Sequence, residues 1–209
     1  PLPLFLASRS PRRRELLSQA GIRFQVHVPR DEELAAPKTR GRVKPQAIVE
    51  RIAKAKAHAA VRELRDLDVK TGLVLSADTL VFFRQHVLGK PADEADARRM
   101  LRQLSGNWHQ VFTGVTTVRF DGTRMKESAI QVSTKVRFFR LRREWIEWYL
   151  STGEPFDKAG SYGCQGYGAA LVKEYRGSYT NVVGLPLGET LALLEKAGGT
   201  SRAALQGNR

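Results

Sequence analysis

Leu4-Phe5-Leu6-Ala7-Ser8-Arg9-Ser10-Pro11-Arg12-Arg13 is a short apolar run that stops at serines, after which a proline opens a helix-like segment carrying Glu15, Leu16 and Leu17. Proline suits the first turn of a helix because its missing N–H would have no intrahelical partner there. Ser10 stands where an N-cap is expected. Strand, hydroxyl-bearing turn and helix N-terminus leave backbone N–H groups directed outward, with the positive end of the helix dipole behind them. Arg12 and Arg13 add forked donors matched to phosphate. The stretch reads as a phosphate cradle. An ordinary capped helix with solvated arginines is the competing reading, and the segments downstream decide between them.

The chain has 209 residues, 42% of them hydrophobic and 27% charged, which is the balance of a globular protein able to bury a core. We expect one domain over residues 1–197 and a flexible tail over 198–209. Cys164 is the sole cysteine, so no intrachain disulfide forms, and the four histidines have no metal-ligand spacing. No apolar run reaches the roughly 18 residues a membrane span needs, and no secretory signal is visible. A cytoplasmic protein that does not enter a membrane is the expectation. The formal charge of +14 attracts nucleic acid, anionic lipid or phosphorylated small molecules. Its basic residues are spread along the chain, densest at Arg9–Arg14 and Lys135–Arg143, with no RNA-binding aromatic signature or zinc-finger spacing. Nucleic acid is therefore not the expected partner.

Phe24, Val26 and Val28 alternate with polar residues and predict a second strand, followed by a polar loop from Pro29 to Pro45. A helix over Gln46–Arg65 carries an apolar stripe of Ile48, Val49, Ile52, Ala59 and Ala60, with Lys56 near its middle. A lysine on a core-facing stripe either snorkels outward or meets an anion. Gly72–Phe83 has the pattern of a buried strand, yet it contains Asp78. An unpaired buried carboxylate costs several kcal/mol, so Asp78 should be paired, bind a metal, or sit where the strand opens into a cleft. Lys90, between Gly89 and Pro91, places an ammonium ahead of a helix whose stripe is Ala97, Met100, Leu101 and Leu104. Gln110–Val118 and Ile130–Phe138 alternate with period two around Asp121-Gly122 and predict a long antiparallel pair. Trp145, Trp148 and Tyr149 have the spacing of a core stripe on a helix over Arg142–Leu150. Glycines crowd Asp157–Gly168, permitting close approach of backbone to a ligand, before a strand over Ala169–Tyr175 and a last helix over Pro186–Lys196.

Taken together these segments resemble the Maf family of septum-formation-inhibitor-like nucleoside triphosphate pyrophosphatases. The matching pieces are Leu6-Ala7-Ser8-x-Ser10-Pro11-Arg12-Arg13, Asp31-Glu32, Lys54-Ala55-Lys56-Ala57, Ala77-Asp78-Thr79, Gly89-Lys90-Pro91, Leu104-Ser105-Gly106-x-x-His109, Glu154-Pro155-x-Asp157-Lys158-Ala159-Gly160 and Val183-Gly184-Leu185-Pro186. They run in family order from about residue 4 to 196.

The resemblance implies an elongated, two-lobed α/β fold like that of inosine triphosphate pyrophosphatases, with a twisted mixed β-sheet flanked by helices and a central cleft. It implies metal-dependent hydrolysis of a nucleoside triphosphate to the monophosphate and pyrophosphate by a cytoplasmic homodimer, with a link to cell-division arrest. Carried over position by position, the family's essential residues fall on Ser8, Arg12, Arg13, Glu32, Lys56, Asp78 and Lys90. Asp78, Glu32, Lys56 and Lys90 take the catalytic roles, with Glu32 and Asp78 holding Mg²⁺, Mn²⁺ or Co²⁺. Ser8, Arg12, Arg13, Thr79 and Gln165 take the substrate, and Arg12, Thr79 and Gln165 match the dTTP/UTP-type members. The alternatives are the same reaction on 7-methyl-GTP or another non-standard nucleotide, or a basic nucleic-acid-binding or cell-division regulatory protein. Two positions depart from the family pattern: Ser76 stands for a usual glycine and Cys164 for a usual isoleucine.

Overall fold

The structure, a computed structural model, describes residues 2–30 and 44–198. Its framework is one mixed, seven-stranded open sheet flanked by helices, with strand order β2-β1-β3-β5-β6-β7 and β4 paired to β3 off that path. β1 (Leu4–Leu6) lies parallel to both β2 (Gln25–Val26) and β3 (Thr71–Phe83), and the crossover between β1 and β2 is α1 (Pro11–Gln19). The crossover from β2 to β3 contains α2 (Pro45–Asp66). After β3 all pairing is antiparallel: β4 (His86–Leu88), β5 (Trp108–Asp121), β6 (Arg124–Phe138) and β7 (Val172–Arg176). Helices α3 (Glu94–Leu104) and α4 (Arg143–Ser151) pack together, while α5 (Tyr179–Val183) and α6 (Leu187–Lys196) complete the chain.

β3 explains why the core comes in parcels. Its side chains alternate between faces. On one face Leu73, Leu75 and Ala77 join Leu6, Leu17, Leu185 and Leu194, whereas Val81 and Phe83 join Met100, Leu101, Phe138 and Tyr149. On the other face Val74 meets Ala57, Val61 and Phe120, whereas Leu80 meets Ile48, Val49 and Phe112. Asp78 and Thr79 fall at the seam on their respective faces. The sheet runs through both halves of the molecule, and its apolar lining is interrupted where those two polar residues sit.

α2 covers the Asp78 face. Ile48, Val49, Ile52, Ala59 and Ala60 are buried as the stripe requires, and Lys56 is buried among them. Gly114, in register with Asp78, permits the close approach, since a Cβ there would stand 2.6 Å from the Val49 carbonyl group. Ser76 uses its hydroxyl to donate a 2.5 Å hydrogen bond to the Ala53 carbonyl, so the serine at this usual glycine position is buried but satisfied.

Several sequence expectations are corrected. Ser10 occupies the N-cap of α1, but its side chain makes no capping bond. The stripe of α4 is Ile146, Tyr149 and Leu150; Trp145 and Trp148 are 37% and 44% exposed, because the helix is tilted one position from the aromatic spacing. The last strand starts at Val172, since Gly166–Leu171 is wound into a 3₁₀ turn. The expected loop over Pro29–Pro45 lies mostly outside the described residues, as does the tail after Gly198. Among the described residues no helix is long and apolar enough to cross a membrane.

His109 is buried beneath Phe138 and bonds the Tyr162 hydroxyl at 2.7 Å. Burial pushes its imidazole down to about 3. An unfolded chain binds a proton there below about pH 6.5, and the folded chain refuses it, so stability is complete above that pH and declines as the pH falls toward 3. Urea midpoints measured from pH 7 to pH 5 will therefore fall in the native protein. In His109→Gln, which keeps a partner for Tyr162 without titrating, the slope over this range will flatten.

Candidate active site

Asp78 and Lys56 meet across the interface of β3 and α2. The Lys56 ammonium donates to Asp78 Oδ1 at 2.7 Å, with side chains only 10% and 17% exposed. Breaking such a pair by removing one partner strands the other charge in a poorly solvated site. The stripe lysine therefore meets an anion, and the strand carboxylate is paired while keeping an edge toward solvent. Asp78 Oδ2 makes no hydrogen bond among the described residues.

On the opposite face of β3, Arg13 ties three segments together. Its Nε donates to the Gly184 carbonyl at 2.8 Å, one terminal nitrogen to Ser8 Oγ at 2.9 Å, and the other to Thr79 Oγ1 at 3.2 Å. Gly184 ends α5 with φ of +127°, a conformation open to glycine that turns its carbonyl toward the guanidinium. Thr79 also meets the Thr113 hydroxyl at 2.9 Å. Thr113 donates to the Asn181 carbonyl, and the Asn181 amide donates to Val111 and Thr134. This buried polar chain locks α5 against β5 and β6 and fixes the Arg13 end of the site. Ser8 accepts a further bond from the Ser10 N–H at 3.2 Å, so the turn between β1 and α1 is shaped by its own first hydroxyl.

Arg12 points elsewhere. Its positive charge opposes the burial that raises Asp157 and joins Lys158 in holding that carboxyl below its usual range, and it is felt at Cys164. Arg12 thus faces the glycine-rich segment that carries Gln165. Burial pushes the Cys164 thiol up to about 11, and its side chain packs in the Leu6–Leu185 core as the usual isoleucine would. Gln165 is half-buried and Lys90 is exposed; Arg12, Lys90 and Gln165 make no hydrogen bond among the described residues. Lys90 follows Gly89, whose carbonyl accepts from the Gly160 N–H at 2.9 Å, so its backbone is anchored to the same segment. Glu32 lies outside the described residues.

The organiser of the glycine-rich segment is Glu154, a residue to which sequence reading assigned no role. Its carboxylate accepts from the Tyr149 hydroxyl at 2.9 Å, the Tyr167 N–H at 2.9 Å and the Gly168 N–H at 3.0 Å. Tyr149 in turn accepts from the Gly163 N–H at 3.0 Å, and burial holds its phenol well above the usual range, keeping it a donor. At Gly168 a Cβ would stand 2.2 Å from the Gly163 carbonyl oxygen, so the loop closes on itself only with glycine there. The α5 helix also escaped the sequence reading, although its signal was present. Ser178 caps it by accepting from the Asn181 N–H, and Gly184 ends it.

The family model described as "Maf-like protein" matches residues 3–197. The chain is 49% identical to a dTTP/UTP pyrophosphatase of Anaeromyxobacter dehalogenans (strain 2CP-C) over 195 residues, 93% of this chain and 94% of that protein. It is 49% identical to a dTTP/UTP pyrophosphatase of Symbiobacterium thermophilum, with the same coverage. With a dTTP/UTP pyrophosphatase of Halalkalibacterium halodurans it shares 44% identity over 96% of this chain and 98% of that one. A solved nucleoside-triphosphatase / dITP/XTP pyrophosphatase from Mycobacterium abscessus covers 99% of the chain at 17% identity with a TM-score of 0.40.

Glu154→Gln will test the loop. In either orientation the amide NH₂ meets a backbone N–H donor, of Tyr167 or of Gly168, and the charge is lost in both, so amide exchange at Tyr167 and Gly168 should accelerate at least about tenfold. Global stability should fall by about 1–3 kcal/mol. Unchanged exchange at both amides would show that Glu154 does not hold the turn.

Proposed function

The chain belongs to the Maf-like protein family, and from that premise we propose that it hydrolyses dTTP and UTP to the nucleoside monophosphate and pyrophosphate. The observation that carries the proposal is the Lys56–Asp78 pair at the seam of the core, with Arg13, Ser8 and Thr79 gathered on the other face of the same strand. The relatives named above at 44–49% identity support the choice of substrate.

The reaction needs water to attack the α-phosphorus in line with departing pyrophosphate, and the negative charge of the triphosphate opposes it. Lys56 spends one N–H on Asp78 and has further donors for a phosphate oxygen. Asp78 Oδ2, the oxygen that Lys56 leaves open, orients the water; taking the water's proton and holding a cation compete for this oxygen, because a carboxylate that binds metal is a poorer base. Arg12 and Lys90 stabilise the phosphates and the leaving pyrophosphate, whereas Arg13 holds Ser8 and Thr79 in place for them. Gln165 can offer both a donor and an acceptor to the O4/N3–H edge of uracil or thymine. Glu154, which shapes the loop bearing Gln165, is a positioning residue.

The donor set suits a divalent cation of the magnesium type, which is commonly bound by one or two carboxylates together with substrate phosphates. The described residues hold no group of three His, Cys, Asp or Glu side chains able to bind a metal by themselves. Asp78, together with Glu32, would hold Mg²⁺, Mn²⁺ or Co²⁺, leaving positions for the phosphates. Such an ion supplies charge neutralisation and polarisation of the phosphoryl oxygens.

Pyrophosphate release should be measured from dTTP, UTP, ATP, GTP and 7-methyl-GTP with each metal and with EDTA. We expect dTTP and UTP to be turned over fastest and EDTA to abolish release. Turnover confined to purine or methylated nucleotides would discard the reading of Gln165. Asp78→Asn should lower kcat at least about a hundredfold with the circular dichroism spectrum preserved; retention of most activity would remove Asp78 from the chemistry.

A further inference from the structure

A second basic site lies in the half of the molecule built around α3 and α4. Where the turn after α3 meets the ends of β6 and β7, a cavity of about 630 Å³ opens, lined by Arg137, Arg140 and Lys173 together with Phe139 and Trp145. Its size falls in the range of small-molecule sites. Arg140 and Lys173 make no hydrogen bond or ion pair among the described residues. Arg137 lies over the Trp108 ring, 5.9 Å from its centroid, and Arg176 covers the same ring at 4.5 Å. The carboxylate of Glu174, beside Arg137 in the ladder, is already occupied by Arg176 at 2.8 Å.

Three cations around one opening repel each other unless an anion fills it, and two of them have been given no carboxylate. The aromatic contribution is equally uneven. Trp145 and Phe139 are 37% and 42% exposed, although the apolar core of this half is immediately behind them. Unpaired cations beside open aromatic faces are the chemistry that takes a phosphate and stacks a base. The cavity is not the Asp78 site. Trp108 pairs with Arg137, and Gly114 pairs with Asp78, so the two places are separated by about 20 Å along β5 at roughly 3.4 Å per residue.

We propose that this cavity binds a nucleotide unit, with Arg137, Arg140 and Lys173 holding the phosphate and Trp145 or Phe139 stacking on the base, separately from the hydrolytic site. The unit is either free or part of a single strand; the two sources share this chemistry and differ in which probe binds.

The chain's three tryptophans are Trp108, Trp145 and Trp148; Trp145 lines this cavity and Trp108 lies against Arg137, which also lines it, so the fluorescence of these two reports on it. In a Trp148→Phe background with EDTA present, the protein should be titrated with UMP, a ten-residue oligo(dT), uridine and inorganic pyrophosphate. Saturable quenching by UMP identifies a free nucleotide, and quenching by oligo(dT) alone identifies a strand. In either case the double variant Arg140→Glu/Lys173→Glu weakens binding at least tenfold, and the milder Lys173→Gln weakens it in the same direction. Both variants keep the rate of pyrophosphate release from UTP, and Asp78→Asn leaves the titration unchanged. Quenching by uridine as strong as by UMP, an unaltered titration in both charge variants, or no quenching by UMP or oligo(dT) overturns the proposal. Because the readout is binding without metal, it stands or falls independently of the hydrolytic reading.

Discussion

A lysine in the middle of an apolar helix stripe can be tolerated only if something negative waits opposite it. In this protein Lys56 on α2 and Asp78 on β3 answer each other at 2.7 Å, and much of the architecture follows from holding them there. The helix must lie close to the sheet, which Gly114 permits by presenting no side chain to the Val49 backbone. Ser76 then binds the helix through Ala53, two residues along the strand from Asp78. Ion pairs this sheltered add little net stability compared with apolar packing, and their retention is better understood as placing charge at a chosen point.

The other face of β3 solves a related problem differently. Arg13 is buried and its donors are shared among a carbonyl and two hydroxyls, so its charge is spread over three segments distant in sequence. Thr79, Thr113, Asn181 and Thr134 extend this network into the sheet. Adjacent residues on one strand thus serve two faces: Asp78 looks to α2, and Thr79 to α1 and α5. Alternation along a strand, the simplest property of β-structure, is what allows one short Ala-Asp-Thr segment to organise both sides of the site.

Periodicity made the framework readable. The stripe of α2, the stripe of α3 and the long β5–β6 pair were each evident because a single face is buried and the residues on it recur at the expected interval. Lys56 and Asp78 stood out for the opposite reason, as charges breaking an apolar pattern. Periodicity misled at α4, where aromatic size suggested burial and Ile146 took the core position instead of Trp145. Short segments were harder. α5 has five residues, too few for a repeating face, and its existence depends on the Ser178 cap and on Asn181 reaching Val111 and Thr134, contacts about 50 to 70 residues away in the chain. Glu154 was equally opaque, since a carboxylate that collects backbone N–H groups leaves no mark in composition. Burial states, likewise, separate Arg13 from Arg12, neighbours with the same side chain and different surroundings.

The strands β3, β5 and β6 run without interruption beneath both sets of core clusters. A protein whose halves are joined by a connector opens like a door, with large swings at small elastic cost. A continuous ladder behaves as a beam: bending it would stretch many hydrogen bonds at once, and its soft deformation is a change of twist about the strand direction. Points near the middle of such a beam travel least. Asp78 and Thr79 sit near that middle, so a change of twist at the two ends shifts their spacing least, and whatever precision they have is inherited from the stiffness of the sheet rather than from any clasp around them.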